Sequence, residues 1–205
     1  MCRLLRLFFG VALLGACAFS SPAAAESVID SLQKKNAALT SFSCAFTQET
    51  RIPLFDSPVI SEGRMAFMRP DGLRWEYVSP MREGFAVQGG KGLRWREGAA
   101  AQEVASVTDD PLLAMIAREL VTWVTLDMDR IEKQYTVTVT ETDPPTFHLV
   151  PKQRETRSVL ASLTIVFASS GLARSVTIAE TQGGETGIRF ADGVINRPVN
   201  IMERP

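Results

Sequence analysis

The chain is predicted to be mainly β with some α: one antiparallel sheet of about ten strands that curls into a barrel or half-barrel, with two helices able to cover a face of it. Three observations point there. Apolar and polar residues alternate at a period of two in one short segment after another, the pattern of strands that bury one side. These segments succeed each other at hairpin spacing and are closed by Pro, Ser-Gly or Gly-Gly. Only two stretches of the mature chain keep helical spacing instead.

The opening MCRLLRLFFGVALLGACAFSSPAAA carries Arg3 and Arg6, an apolar run through Phe19, a Ser-Ser-Pro break and then Ala23, Ala24 and Ala25. A basic start, a short apolar middle and a small-residue site describe a secretory signal peptide. Residues 1–25 are therefore expected to be removed, leaving residues 26–205 as a single exported domain. The apolar run is shorter than the roughly 20 residues of a spanning helix. A rival reading takes Leu14-Gly15-Ala16-Cys17 as a lipobox, cut and acylated at Cys17, which would tether the product. Cleavage after Ala25 is preferred because the alanines follow a helix break.

From Glu26 to Leu39, Val28, Ile29, Leu32 and Leu39 share a helical face, with Lys34, Lys35 and Asn36 elsewhere on the wheel. The period then changes to two. Phe42, Cys44 and Phe46 form one strand face, Met65 and Phe67 another, then Leu73, Trp75 and Tyr77, then Leu93 and Trp95. Asp109-Asp110-Pro111 is a helix start, and LLAMIARELVTWV continues from it as a helix that is apolar around much of its circumference. DMDRIEK reads as a charged surface stretch. Strands resume with Tyr135, Val137 and Val139, and follow through Phe147 and Leu149, Leu163 to Phe167, Val176 and Ile178, and Ile188 and Phe190.

Composition narrows the function. Without Arg3 and Arg6 the chain keeps 20 basic and 23 acidic residues, a net charge of about −3, which gives nucleic acid no basic face to bind. Loss of Cys2 and Cys17 leaves Cys44 alone between Phe42 and Phe46, a buried and inert thiol, so stability must come from a core. His148 is the only histidine and has no cysteine or acid motif beside it, so no metal site is expected. Asp109, Asp110, Asp127 and Asp129 sit in cap and surface contexts. With no nucleophile elbow, phosphate loop or dinucleotide glycine motif, the chain is not expected to be an enzyme or to need a cofactor.

What stands out is apolar surface. Phe42, Phe46, Met65, Phe67, Leu73, Trp75, Tyr77, Leu93 and Trp95 are assigned to one sheet face, which the two helices must cover. An ordinary packed core and a lidded cavity for an acyl chain both account for this. In the second reading Leu112, Met115, Ile116 and Leu120 of the long apolar helix line the cavity from above, with Met65 and Met115 adapting to the guest. Arg69 is the oddity: it shares the strand phase of Met65 and Phe67, so a guanidinium is aimed at an apolar face.

The order SFSCAFTQ, GRMAFMRPDGLRWEYVSP, a glycine turn before LRW, LVPK, GGETGIRF and NRPV resembles the LolA family of periplasmic lipoprotein carriers over nearly the whole mature chain. Its signals are Phe46-Thr47-Gln48, Arg69-Pro70 followed by Trp75, and Gly184-Glu185-Thr186. The insert RIPLFDSPVISEG, residues 51–63, is closer to a divergent branch that accompanies glycolipid or polyene assembly genes, and the chain ends soon after NRPV. The resemblance implies an incomplete antiparallel barrel of about ten to eleven strands, closed by a helical lid over a hydrophobic cavity. It further implies a periplasmic, monomeric carrier that takes lipoprotein or lipid acyl chains from an inner-membrane exporter to an outer-membrane acceptor. Arg69 matches the family arginine that bonds lid carbonyls and latches the empty cavity shut. A tethered acceptor lipidated at Cys17, or an envelope sensor or scaffold of the same fold, are the rival functions.

Overall fold

The computed structural model describes residues 22–104, 106–191 and 193–204. Arg3, Arg6 and Cys17, on which the export and lipidation expectations rest, lie outside the described residues. Helix α1 (Pro22–Ala37) buries Leu32 and leads into a meander of β1 (Ser41–Arg51), β2 (Val59–Met68), β3 (Gly72–Ser79), β4 (Glu83–Gln88), β5 (Lys91–Arg96) and β6 (Gln102–Val104). Helix α2 (Pro111–Val124) and the short α3 (Met128–Gln134) interrupt it. The rest is β7 (Tyr135–Thr142), β8 (Pro145–Pro151), one turn of helix α4 (Arg154–Arg157), β9 (Leu160–Phe167), β10 (Ala173–Glu180), β11 (Glu185–Phe190) and β12 (Val194–Ile195).

All strands belong to one antiparallel sheet in the order β6-β5-β4-β3-β2-β1-β11-β10-β9-β8-β7, with β12 also beside β1. The edge strands β6 and β7 do not pair with each other, so the sheet is an open, incomplete barrel. Its twelve strands exceed the expected ten or so because β4, β6 and β12 carry little alternation: EGFAVQ opens on Glu-Gly, and the other two have three and two residues. The chain returns at β11 to pair with β1, with Phe46 opposite Phe190 and Gln48 opposite Ile188, which joins the two halves of the sheet.

Cross-strand partners share a face, so register sorts the side chains. Phe42, Cys44 and Phe46 stand opposite Phe67, Met65 and Gly63, and these opposite Leu73, Trp75 and Tyr77. This is the inner face. A Cβ on Gly63 would lie 2.2 Å from Cζ of Phe46 and 2.4 Å from the Glu76 carbonyl oxygen, so only glycine lets the Phe46 ring lie over β2. The ring then stacks on Trp75 with centroids 4.3 Å apart.

Leu93 is not on that face, which corrects the sequence expectation. It stands opposite Ala86, which stands opposite Arg74, on the outer side of the sheet. The two-residue turn Gly89-Gly90, with φ of +57° and +76°, sets this register by placing Gln88 opposite Lys91. Leu93, Trp95 and Ala86 pack with Ile201 of the carboxy-terminal segment. Arg74 holds that segment down: its guanidinium lies 4.3 Å over the Trp95 ring, pairs with Glu76 at 2.7 Å and donates to the Glu203 carbonyl at 2.6 Å.

DMDRIEK is a surface stretch only in part: its charged residues are exposed, while Met128 and Ile131 are buried. Asp127 caps α3 by accepting from the Arg130 amide at 3.1 Å, and Met128 and Ile131, three apart, turn one face into the core beside Leu126, Tyr135 and Phe147. Asp110 caps α2 in the same way, accepting from the Leu113 amide at 3.0 Å. His148 is half-buried, 3.3 Å from the Thr164 hydroxyl. No helix among the described residues is long and apolar enough to cross a membrane.

Candidate ligand cavity and its helical cover

The inner face curves around a cavity of about 1760 Å³. That is larger than the ~300–1,000 Å³ typical of small-molecule sites. One wall comes from Phe42, Cys44, Met65, Trp75 and Tyr77 of β1 to β3, with Phe85 of β4. The opposite wall comes from Leu163, Ile165 and Phe167 of β9, Val176 and Ile178 of β10, and Ile188 and Phe190 of β11. Helix α2 roofs it with Met115, Ile116, Leu120, Trp123 and Val124. The helix stays in place because Leu113 and Ala117, four apart on its underside, are buried against the cluster of Leu39, Phe42 and Phe67.

The residues singled out in the sequence separate into three groups. Phe42, Met65, Trp75, Tyr77, Met115, Ile116 and Leu120 line the cavity. Phe46, Phe67 and Leu73 do not: they are buried at 3 %, 0 % and 0 % exposure and form the packed layer that carries the lining. Leu93 is on the far side of the sheet, and Trp95 packs with it while reaching the cavity margin beside Gly84. Leu112 falls in the first turn of α2, and its side chain lies outside the described residues. Met115 is 49 % exposed, at the open side of the roof. The β9–β11 wall was missed as lining, although its alternation of Leu163, Ile165 and Phe167 carries the same signal as β1.

Arg69 follows the last residue of β2 and turns inward. Its Nε donates to the Leu39 carbonyl at 2.7 Å, and Nη2 reaches the Asn36 carbonyl at 3.2 Å and Asn36 Oδ1 at 3.1 Å. These acceptors belong to the last turn of α1 and the residues just after it, where carbonyls have no helical partner. The guanidinium thus meets α1 and not α2. Asn36 supplies the missing connection, since its Nδ2 donates to the Val124 carbonyl at 2.5 Å, the last residue of α2. Asn36 is 4 % exposed, which corrects its placement on the outer part of the helical wheel: a buried amide there satisfies an arginine on one side and a helix carbonyl on the other.

Two ion pairs stand at the cavity edge. Arg94 bonds Asp110 at 2.7 Å and Arg96 bonds Glu83 at 2.8 Å. Burial pushes the Cys44 thiol up to about 11, so it stays protonated and behaves as a small apolar wall residue. Burial also raises the Tyr77 phenol, helped by the nearby Glu83 carboxylate.

An open antiparallel sheet wrapped around an apolar hollow and roofed by a helix defines a hydrophobic-cavity protein. The chain matches the model of the family described as outer membrane lipoprotein carrier protein LolA over residues 37–200, and it belongs to that family. Among solved structures it is similar to a LolA superfamily protein from Nitrosomonas europaea, at 9 % identity and a TM-score of 0.43, covering 86 % of this chain and 94 % of that one. It is also similar to the lipoprotein LppX of Mycobacterium tuberculosis, at 12 % identity and a TM-score of 0.46, covering 88 % of this chain and 100 % of that one. A third is the MucA/MucB complex of Pseudomonas aeruginosa, at 12 % identity and a TM-score of 0.47, covering 86 % of this chain and 58 % of that one. No curated protein sequence matches the chain.

Proposed function

We propose that this protein is a periplasmic carrier that holds the acyl chains of a lipoprotein or glycolipid in its cavity and moves them from the inner to the outer membrane. The observation that carries the reading is the roofed apolar cavity of about 1760 Å³ in a chain of the LolA family. Residues 1–25 serve as the export signal and residues 26–205 as the carrier domain, which works as a monomer between an inner-membrane exporter and an outer-membrane acceptor. In this reading Arg69 is the lid latch. Bound to α1 directly and to α2 through Asn36, it holds both helices over the empty cavity.

Magnitudes make such a latch openable. Three hydrogen bonds from a charged donor contribute about 1.5–3 kcal/mol each, so releasing Arg69 costs on the order of 5–9 kcal/mol. An acyl chain of about 16 carbons leaving water gains ~0.8 kcal/mol per methylene, on the order of 12 kcal/mol. One chain is enough to offset the broken bonds. The test is lipid extraction and native mass spectrometry of protein purified gently from its own envelope. The expected result is a co-purifying acylated molecule near one equivalent. Protein that is always empty, and that never binds a fluorescent fatty-acid probe, would refute the carrier reading.

A further inference from the structure

One end of the cavity is not apolar. Tyr77 donates its hydroxyl to Gln48 Oε1 at 2.9 Å, Gln48 Nε2 donates to the Thr50 hydroxyl at 3.2 Å, and the Thr186 hydroxyl reaches Thr50 at 3.4 Å. Tyr77 comes from β3, Gln48 and Thr50 from β1, and Thr186 from β11, so three strands contribute to one neutral row. Glycine at position 63, opposite both Phe46 and Tyr77, lets the tyrosine reach across β2. Gln48, Tyr77 and Thr186 line the cavity.

The row sits at the far end from the latch. Ser41 and Gln48 are seven residues apart on one strand, roughly 23 Å at ~3.3 Å per residue. Toward the latch end Asn36, Leu39 and Phe42 are buried. Between the two ends the lining is Phe42, Cys44, Met65 and Trp75. A guest in the cavity therefore finds apolar walls along β1 to β3 and a row of hydrogen-bonding groups at the end away from Arg69.

We infer that the Gln48–Tyr77–Thr50–Thr186 row binds the uncharged ester or amide linkage of an acylated guest, with its tails directed along the apolar wall toward Phe42. The inference rests on the carrier reading and names the chemical class of its cargo. Two features select a neutral group. The row contains no cation, and Glu83, which stands opposite Tyr77, already has its partner Arg96 bound to it. At the row itself a free carboxylate would meet Glu83 and no cation of the row to pair with. A carbonyl, by contrast, is an acceptor for the second N–H of the Gln48 amide, which has no acceptor among the described residues.

The experiment is displacement of a fluorescent fatty-acid probe from the full mature chain by 1-palmitoylglycerol and by palmitate, at a pH where palmitate is ionised. Palmitoylglycerol is expected to compete about tenfold better, one to two hydrogen bonds' worth of discrimination. Gln48→Leu and, separately, Tyr77→Phe, each checked for an unchanged melting profile, should shrink that ratio toward one. Equal competition by both ligands, or a ratio that neither variant alters, overturns this inference and leaves the carrier reading intact. Failure of the probe itself to bind overturns both. If either variant unfolds, Thr186→Val, at the margin of the same row, is expected to reduce the ratio in the same direction, and an unchanged ratio there counts against the row.

Discussion

Replacing Asn36 by leucine is the sharpest probe of how the helices are held. Leucine keeps asparagine's four side-chain heavy atoms and its branch at Cγ, so the 4 %-exposed site stays filled while two hydrogen bonds disappear: the one from Arg69 at 3.1 Å and the one to the Val124 carbonyl at 2.5 Å. The first has a charged donor and contributes about 1.5–3 kcal/mol, and the second about 1 kcal/mol. Arg69 keeps the Leu39 and Asn36 carbonyls, so its charge remains paired and no larger penalty is added. The expected loss is therefore about 2–4 kcal/mol, or roughly 5–15 °C in Tm for a domain of this size. Arg69→Leu removes the other side of the same bond. Denaturant melts of the two single variants and the double variant close a thermodynamic cycle, and the coupling should be about 1–2 kcal/mol. Hydrogen exchange supplies the structural readout: amides of residues 111–126 should lose protection in Asn36→Leu. Strict additivity of the two substitutions, with α2 protection unchanged, would refute the claim that Arg69 reaches α2 through Asn36.

Two further expectations separate lining from support. Leu93→Ala, on the outer face at 3 % exposure, should cost about 2–4 kcal/mol of stability and leave binding of a fluorescent acyl probe unchanged, whereas Ile116→Trp in the roof should weaken that binding severalfold with a smaller effect on the melt. Cys44, held protonated up to about pH 11, should react with iodoacetamide at pH 8 roughly 100-fold more slowly than in unfolded chain, and more slowly still when an acyl guest fills the cavity. The sign for stability follows from the raised value: the unfolded thiol ionises first, so stability is unaffected below about pH 9 and falls as pH rises from there through 11.

The sequence carried the inner face of β1 to β3 and the cap of α2 because those signals are local. Phe42, Phe46, Met65, Trp75 and Tyr77 share a face by counting in twos, and hairpin register preserves the count from strand to strand. The count broke at Leu93. A period of two says which residues agree within a strand but not which side of the sheet they occupy. That side can be followed only through every intervening hairpin, and β4, with its Glu-Gly start, was not read as a strand. Asn36 failed for a different reason. Its acceptor Val124 lies 88 residues away, and nothing in α1 distinguishes a buried asparagine with long-range partners from a solvated one. Arg69 was legible as an anomaly of phase, while its partners were legible only in three dimensions.

On the proposed carrier reading, a latch at Arg69 also sets limits on what kind of binder this chain can be. Lipid tails in a bilayer are already in an apolar medium, so the cavity offers them no hydrophobic gain there; the on-the-order-of 12 kcal/mol for a 16-carbon chain exists only relative to water. Opening Arg69 and Asn36 subtracts several kcal/mol from whatever affinity remains. On that reading, a guest bound in the open form is stable against escape into water and unstable against transfer to any membrane or acceptor of comparable apolarity. Loading from a bilayer then requires work from the donor, and unloading requires none. A tighter cavity without the latch would store its cargo; with the latch, closing over an empty hollow favours release, which is the direction a carrier needs.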